Sequence, residues 1–283
     1  MINIQDIKKN IAALPPFQET ILKARDMLSD PNVSAKELTE VLQYDVSITA
    51  NILKVCNSAY YAPKIPIKNL QQAIVYLGHR ELREILIIGG MIKYFDDHQP
   101  GFESMNGELL RHSVATAILA KELGIYLGKE DEILFVAGLL YDVGKIILGE
   151  YVKEQYDQII DKVMNEGMQF HEAEQAILGI NHGEVGRIVL EEWNFPAEII
   201  SAASAHHIDD LSEHEDVDLI VALADRMTSL MGAGTLNDGM YYEGFTKLCQ
   251  YFGLHLRDIE QILSTAVKEI ATVVDTFSKN VKV

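Results

Sequence analysis

The sequence predicts an all-α protein of two lobes, and three features predict it. Apolar residues recur at helical spacing along most of the chain. Alternating, strand-like runs are scarce. Glycines, prolines and capping residues cut the chain into segments of helix length. With 283 residues, 48% of them hydrophobic and 23% charged, the chain is long enough for one large domain or two modest lobes with real cores.

In residues 17–28, Phe17, Ile21, Ala24 and Leu28 fall near one helical face, and Asp30-Pro31 ends that helix. Ser34 to Glu37 spells a capping box, in which the serine oxygen and the glutamate each satisfy an amide that the helix leaves over. The helix it opens carries Leu38, Val41 and Leu42. Asp45 or Ser47 caps the next, which carries Ile48, Ile52, Leu53 and Val55. Residues 60–67 hold two prolines and form a loop. A helix follows from Leu70 to Leu77, Gly78 interrupts it, and Arg80 to Tyr94 continues. The polar stretch 96–107, with Pro100 and two glycines, marks the boundary between a lobe of residues 1–100 and one of 101–283.

The second lobe opens with a long helix from Glu108 to Leu127, ended by Gly128. Another spans Asp131 to Tyr141, after which Gly144 and Gly149 punctuate the chain. Residues 150–165 and 171–178 form two more, separated by Gly167. A helix from Gly183 to Trp193 follows. Pro196 suits the first position of the next, with Trp193 and Phe195 stapling its start. An acidic loop, 208–218, leads to an apolar helix around Leu219–Leu230, and one or two helices end the chain as a C-terminal extension.

Two stretches are similar to the HDOD family. The first runs LPPFQETILKARDMLSDP, through Tyr44-Asp45 and NILKVCNSAYYA, to QQAIVYLGHRELREIL. The second joins LLRHSVATAILAKEL, LFVAGLLYDVGKIIL and GINHGEVGRIVLEEWNFPAEIISAASAHH. Together they cover roughly residues 14–207. The resemblance implies an all-helical fold with an HD-like second lobe and a role in bacterial signal transduction with protein partners, and it implies no defined ligand.

The positions that match the wider metal-dependent HD pattern are Glu108, His112, Asp142, His182, His206, His207 and Asp225. The match implies one or two divalent ions (Fe, Mn, Zn or Ni), since imidazole and carboxylate suit such metals. A two-metal site can clamp a phosphate and generate a hydroxide nucleophile. Glu108 and His112 are spaced i,i+4 and point from one helix face. In an enzyme, Asp142 would bridge metals and Lys145 would orient a small phosphorylated ligand. The departure matters as much: the doublet that names the superfamily is Tyr141-Asp142 here. Tyrosine, with a solution pKa of about 10, is a weaker ligand near neutrality. The Gly-Tyr-Pro motif of the cyclic-dinucleotide phosphodiesterases is replaced by IDDLSEHEDVD. The reading is a non-catalytic regulatory module with a degenerate metal site. Its rivals are a metal-dependent phosphohydrolase acting on nucleotides or cyclic nucleotides, and an iron-based redox or oxygen sensor.

Each candidate has a plainer alternative. Glu108 can serve a helix N-terminus, Asp142 and Lys145 can form an i,i+3 surface ion pair, and Asp225 can be a buried hydrogen-bonding residue. His79, His98, His171, His214 and His255 read as ordinary polar residues. Asn57, Ser58, Tyr60 and Tyr61 have two readings, a partner-docking or regulatory surface and, the one favoured, a helix end at Asn57 and Ser58 with the tyrosines packed across the lobe junction.

Charge and cysteine usage narrow the setting. Residues 1–97 carry eleven Lys/Arg and eleven Asp/Glu, whereas 98–283 carry thirteen and thirty-one, so the second part holds the whole net charge of −18. Such a surface repels phosphate backbones and argues against nucleic acid. Cys56 and Cys249 read as buried free thiols. The start MINIQDIKKN is not a secretory signal, and no run of about 18 apolar residues suggests a membrane span. A cytoplasmic protein is the simplest expectation.

Overall fold

The computed structural model describes Lys9 and residues 18–98, 103–152, 155–205, 207, 211–232 and 242–278. Every regular element among the described residues is helical. The chain divides into two compact units: an N-terminal unit of residues 16–100 with 268–283, and a central unit of 101–267 with 1–15.

In the N-terminal unit, α1 (Glu19–Met27) buries Ile21 and Ala24. α2 (Ala35–Leu42) has the expected capping box: the Glu37 amide donates to Ser34 Oγ at 3.2 Å and the Ser34 amide to Glu37 Oε2 at 2.9 Å. Of the two expected caps for α3 (Val46–Cys56), Asp45 is the one observed, accepting from the Ile48 amide at 3.0 Å. α4 (Leu70–His98) packs against all three and breaks at Gly78, whose φ of 80° suits a residue without Cβ. Cys56 is buried in this core.

The central unit is organised by α5 (Glu103–Tyr126), whose residues 112–120 are all buried. α6 (Glu132–Leu140), capped by Asp131, and α12 (Asp216–Leu230) pack against it. α7 (Val143–Val152) packs on α10 (His182–Glu192), and α11 (Ala197–Ala205) fits against α6, α10 and α12. α8 (Tyr156–Glu166) and α9 (Phe170–Leu178) form a pair, with a 3₁₀ turn at Leu211–Glu213 before α12. α13 (Tyr242–Tyr251) and α14 (Leu256–Ser278) follow.

Several expectations are corrected. Gly144 and Gly149 do not interrupt the chain, because α7 runs through both. Gly144 instead lets two backbones touch: a Cβ there would lie 1.8 Å from the His182 carbonyl oxygen. The helix expected from residue 150 begins at Tyr156, and the one expected at Glu108 begins at Glu103. Pro196 stands just before α11, its carbonyl accepting from the amides of Ile199 and Ile200. Trp193 and Phe195 are buried beside it. Cys249 is only half-buried, and both cysteines are free.

Candidate functional site

Seven helices and the turns beside them bring ionisable side chains together in the central unit. α5 supplies His112, and the turn from α6 into α7 supplies Tyr141 and Asp142, followed by Lys145. α9 supplies Glu174, α10 opens with His182, His207 follows α11, and α12 carries Asp225. Local chemistry fixes these placements. Asn181 caps α10 by accepting from the Glu184 amide at 2.9 Å, which sets the first turn that holds His182. The close approach at Gly144 brings that turn against α7.

The side chains form two hydrogen-bonded groups. In the first, the Tyr141 hydroxyl donates to Asp225 Oδ1 at 2.8 Å, and His112 Nε2 lies 2.8 Å from the same oxygen. Tyr141 and His112 are each 1% exposed. In the second, the amide and Nδ1 of His182 both donate to Glu174 Oε2, at 2.9 and 2.5 Å. A neutral ring held this way keeps Nε2 as an acceptor, and His207 Nε2 lies 2.8 Å from it. The His207 ring stacks on His171 with centroids 4.0 Å apart. Asp142 lies between the groups: Oδ1 is 3.6 Å from His182 Nε2, and Oδ2 accepts from Lys145 Nζ at 3.0 Å. The Lys145 ammonium also sits 5.9 Å from the Phe170 ring centre.

Burial is the largest influence on His112 and disfavours its charged form. The hydrogen bond and charge of Asp225, with the charge of Asp142, outweigh it and raise the imidazole above its ordinary pKa. At His182 burial again acts most strongly, and the Glu174 carboxylate leads the opposing effects, so this ring too is raised.

The structure thus gathers His112, Asp142, Lys145, His182, His207 and Asp225 into one unit. Glu108 is exposed, although it precedes His112 by one turn. His206 lies outside the described residues. The Asp142–Lys145 pair exists at the expected spacing but is buried, with side chains 0% and 8% exposed, rather than superficial. Sequence reading missed Glu174 and set His171 aside as ordinary. The signal for Glu174 was available: it shares the face of α9 that carries Phe170 and Leu178, and a carboxylate on an apolar stripe needs a partner.

A multi-metal cage does not fit these side chains as they are arranged. Asp225 Oδ1 already meets two protein partners, and an ammonium engages Asp142. Among the described residues no group of three or more His, Cys, Asp or Glu is disposed to hold a metal ion.

An all-helical chain with buried His, Asp and Lys side chains gathered from separate helices is built like an HD-type domain. The HDOD domain pattern matches residues 14–208, and the chain belongs to the HDOD domain family. A crystal structure of an HDOD domain protein of unknown function from Geobacter sulfurreducens is similar in fold, with a TM-score of 0.75 at 24% identity over 97% of this chain and 99% of that one. An uncharacterized protein from Treponema pallidum (strain Nichols) is 21% identical over 71% of this chain. Ribonuclease Y from Onion yellows phytoplasma (strain OY-M) is 26% identical over 51% of this chain. The chain spans 39% and 22% of the lengths of these two relatives.

Proposed function

We propose that this chain is a non-catalytic signal-transduction module that binds protein partners, its HD-type pocket degenerate and serving as a structural core. One observation carries the reading: where the superfamily doublet has histidine, the Tyr141 phenol donates to Asp225 Oδ1, the oxygen that His112 also approaches. A phenol, neutral near pH 7, brings a proton to that carboxylate rather than a lone pair to a metal. The Lys145 ammonium supplies positive charge at Asp142 in the same unit. Among the described residues no helix is long and apolar enough to cross a membrane, and the reading sets the module in the cytoplasm.

A second reading, a metal-dependent phosphohydrolase using one or two Fe, Mn, Zn or Ni ions, has support of its own. His182 Nε2 lies 3.6 Å from Asp142 Oδ1 and 2.8 Å from His207 Nε2, and one relative is named a ribonuclease. Two measurements decide between them: elemental analysis of protein purified without added metal, and turnover of a generic phosphodiester with Mn or Fe supplied. The module reading expects no stoichiometric metal and no turnover, with either appearing only in Tyr141→His. Stoichiometric metal with robust cleavage by the unmodified chain overturns it.

A further inference from the structure

The two units differ in charge. The N-terminal unit holds twelve Lys/Arg and twelve Asp/Glu, whereas the central unit holds twelve and thirty and so carries the whole −18. Two copies of the chain therefore repel through their central units and meet without net repulsion through their N-terminal ones.

The neutral unit also carries an exposed apolar patch on a built loop. The Asn57 side chain donates to the carbonyls of Leu53 and Ile67, both at 2.9 Å, and accepts from the Ile67 amide at 2.8 Å. One amide therefore ties the end of α3 to the far end of the loop. The Tyr76 hydroxyl donates to the Tyr61 carbonyl at 2.7 Å and pins the loop to α4. Ala62 is held at a φ of 38°, a conformation that persists where its surroundings over-determine it. On this frame Ile65 is 76% exposed and Tyr60 44%, and α4 adds Val75 at 72% and Tyr76 at 44%. Large apolar side chains exposed together on a fixed backbone mark an interaction surface.

The border of the patch carries both signs. Lys64 and Lys68, both exposed, stand on either side of Ile65 in the chain. Burial first, and then the charges of Glu84, Glu81 and Glu269, push the pKa of the Tyr61 phenol up, so three carboxylates border the same loop. The Glu81 side chain is a third exposed and meets Arg80 at 3.9 Å, beyond hydrogen-bond distance. A partner of one sign matches half of such a border and is opposed by the other half. A second copy related by a two-fold axis matches both halves, because each contact of residue i with residue j is answered by j with i. The lysines of each chain then face carboxylates of the other.

We propose that the chain forms a two-fold dimer through this surface of its N-terminal unit. Tyr60, Ile65, Val75 and Tyr76 form the centre, and Lys64 and Lys68 pair with Glu81 across the rim. The dimer goes beyond the reading of the pocket and fails separately from it, because phosphodiester cleavage would overturn that reading and leave self-association untouched.

Sedimentation velocity of the full chain between about 1 and 500 μM tests the proposal, and a reversible monomer–dimer equilibrium is expected in that range. Ile65→Ser leaves the charge unchanged and should weaken the dimer about tenfold, since a two-fold interface counts the loss twice. Lys64→Glu/Lys68→Glu should weaken it by a similar factor, and so should Glu81→Lys, because each sets like charges together at both ends of the interface. An equimolar mixture of these two charge variants should pair as the parent does, since opposite signs then meet at both ends. That recovery distinguishes a contact from an effect of net charge. All of these side chains are exposed or partly exposed, and circular dichroism checks that each variant is folded. A chain that stays monomeric throughout, a dimer indifferent to Ile65→Ser, or charge variants that their mixture fails to rescue overturns the proposal.

Discussion

Replacing Gly144 by alanine should damage this protein although alanine is the better helix former. The added Cβ would stand 1.8 Å from the His182 carbonyl oxygen and 2.7 Å from the Gly186 nitrogen. Both are backbone atoms of α10, so no rotamer change relieves the overlap. α7 and α10 must separate by roughly 1.5 Å to restore ordinary contact, which opens a gap along their whole interface. Alanine returns about 1 kcal/mol of helix propensity, while overpacking of this kind costs about 1–3 kcal/mol or more. Because backbone meets backbone, the upper part of that range applies, and we expect a net loss of about 2–3 kcal/mol. Urea unfolding followed by fluorescence of Trp193, the single tryptophan and the residue that ends α10, reads the affected interface directly. Gly186→Ala is the control across the same interface: its Cβ would find Gly144, Ala203 and Val143 at 3.5–3.6 Å, ordinary contact, so it should be neutral or stabilising by up to about 1 kcal/mol. A Gly144→Ala protein as stable as the parent, or a Gly186→Ala protein equally impaired, would refute the close-approach argument.

Other expectations follow from the same geometry. Lys145→Met leaves the buried Asp142 carboxylate without its ammonium and should cost about 3–5 kcal/mol in chemical denaturation, whereas an unchanged midpoint would mean the pair contributes nothing. Tyr141→Phe removes the hydrogen bond to Asp225 and should cost about 1.5–3 kcal/mol, measured in the same way. Asn181→Ala removes the α10 cap for about 1 kcal/mol and should shift the His182 ring resonances in NMR spectra. The Glu37 carboxyl is held below its ordinary pKa of 4.5, first by the Ser34 side chain and then by the Ser34 amide. The stability this capping box contributes is therefore complete above pH 4.5 and disappears as pH falls through the lowered value. An NMR titration midpoint for Glu37 at or above 4.5 would contradict it.

Much of the helical order could be read from the chain because capping is local. Ser34, Asp45 and Asp131 announce their helices within three residues, and Gly78, Gly128 and Gly167 stop or bend them where a positive φ is needed. Gly144 and Gly149 misled for a physical reason: a glycine inside a helix looks like a stop until the partner helix that needs the space is known. The pocket residues could be named from their resemblance to a metal-binding pattern, but their partners could not. Whether Tyr141 meets a metal or Asp225 depends on α12, 84 residues further on, and no spacing rule reaches that far. Glu174 was overlooked because its partner, His182, lies on the next helix across a turn.

The last helix has a consequence for how the protein is made. α14 starts among residues of the central unit, but from residue 268 onward it belongs to the N-terminal one. The N-terminal unit is thus interrupted, and its final segment leaves the ribosome only after the whole central unit has been synthesised. Order of synthesis follows from chain connectivity alone: the residues from 268 onward that group with the N-terminal unit are made after every residue of 101–267.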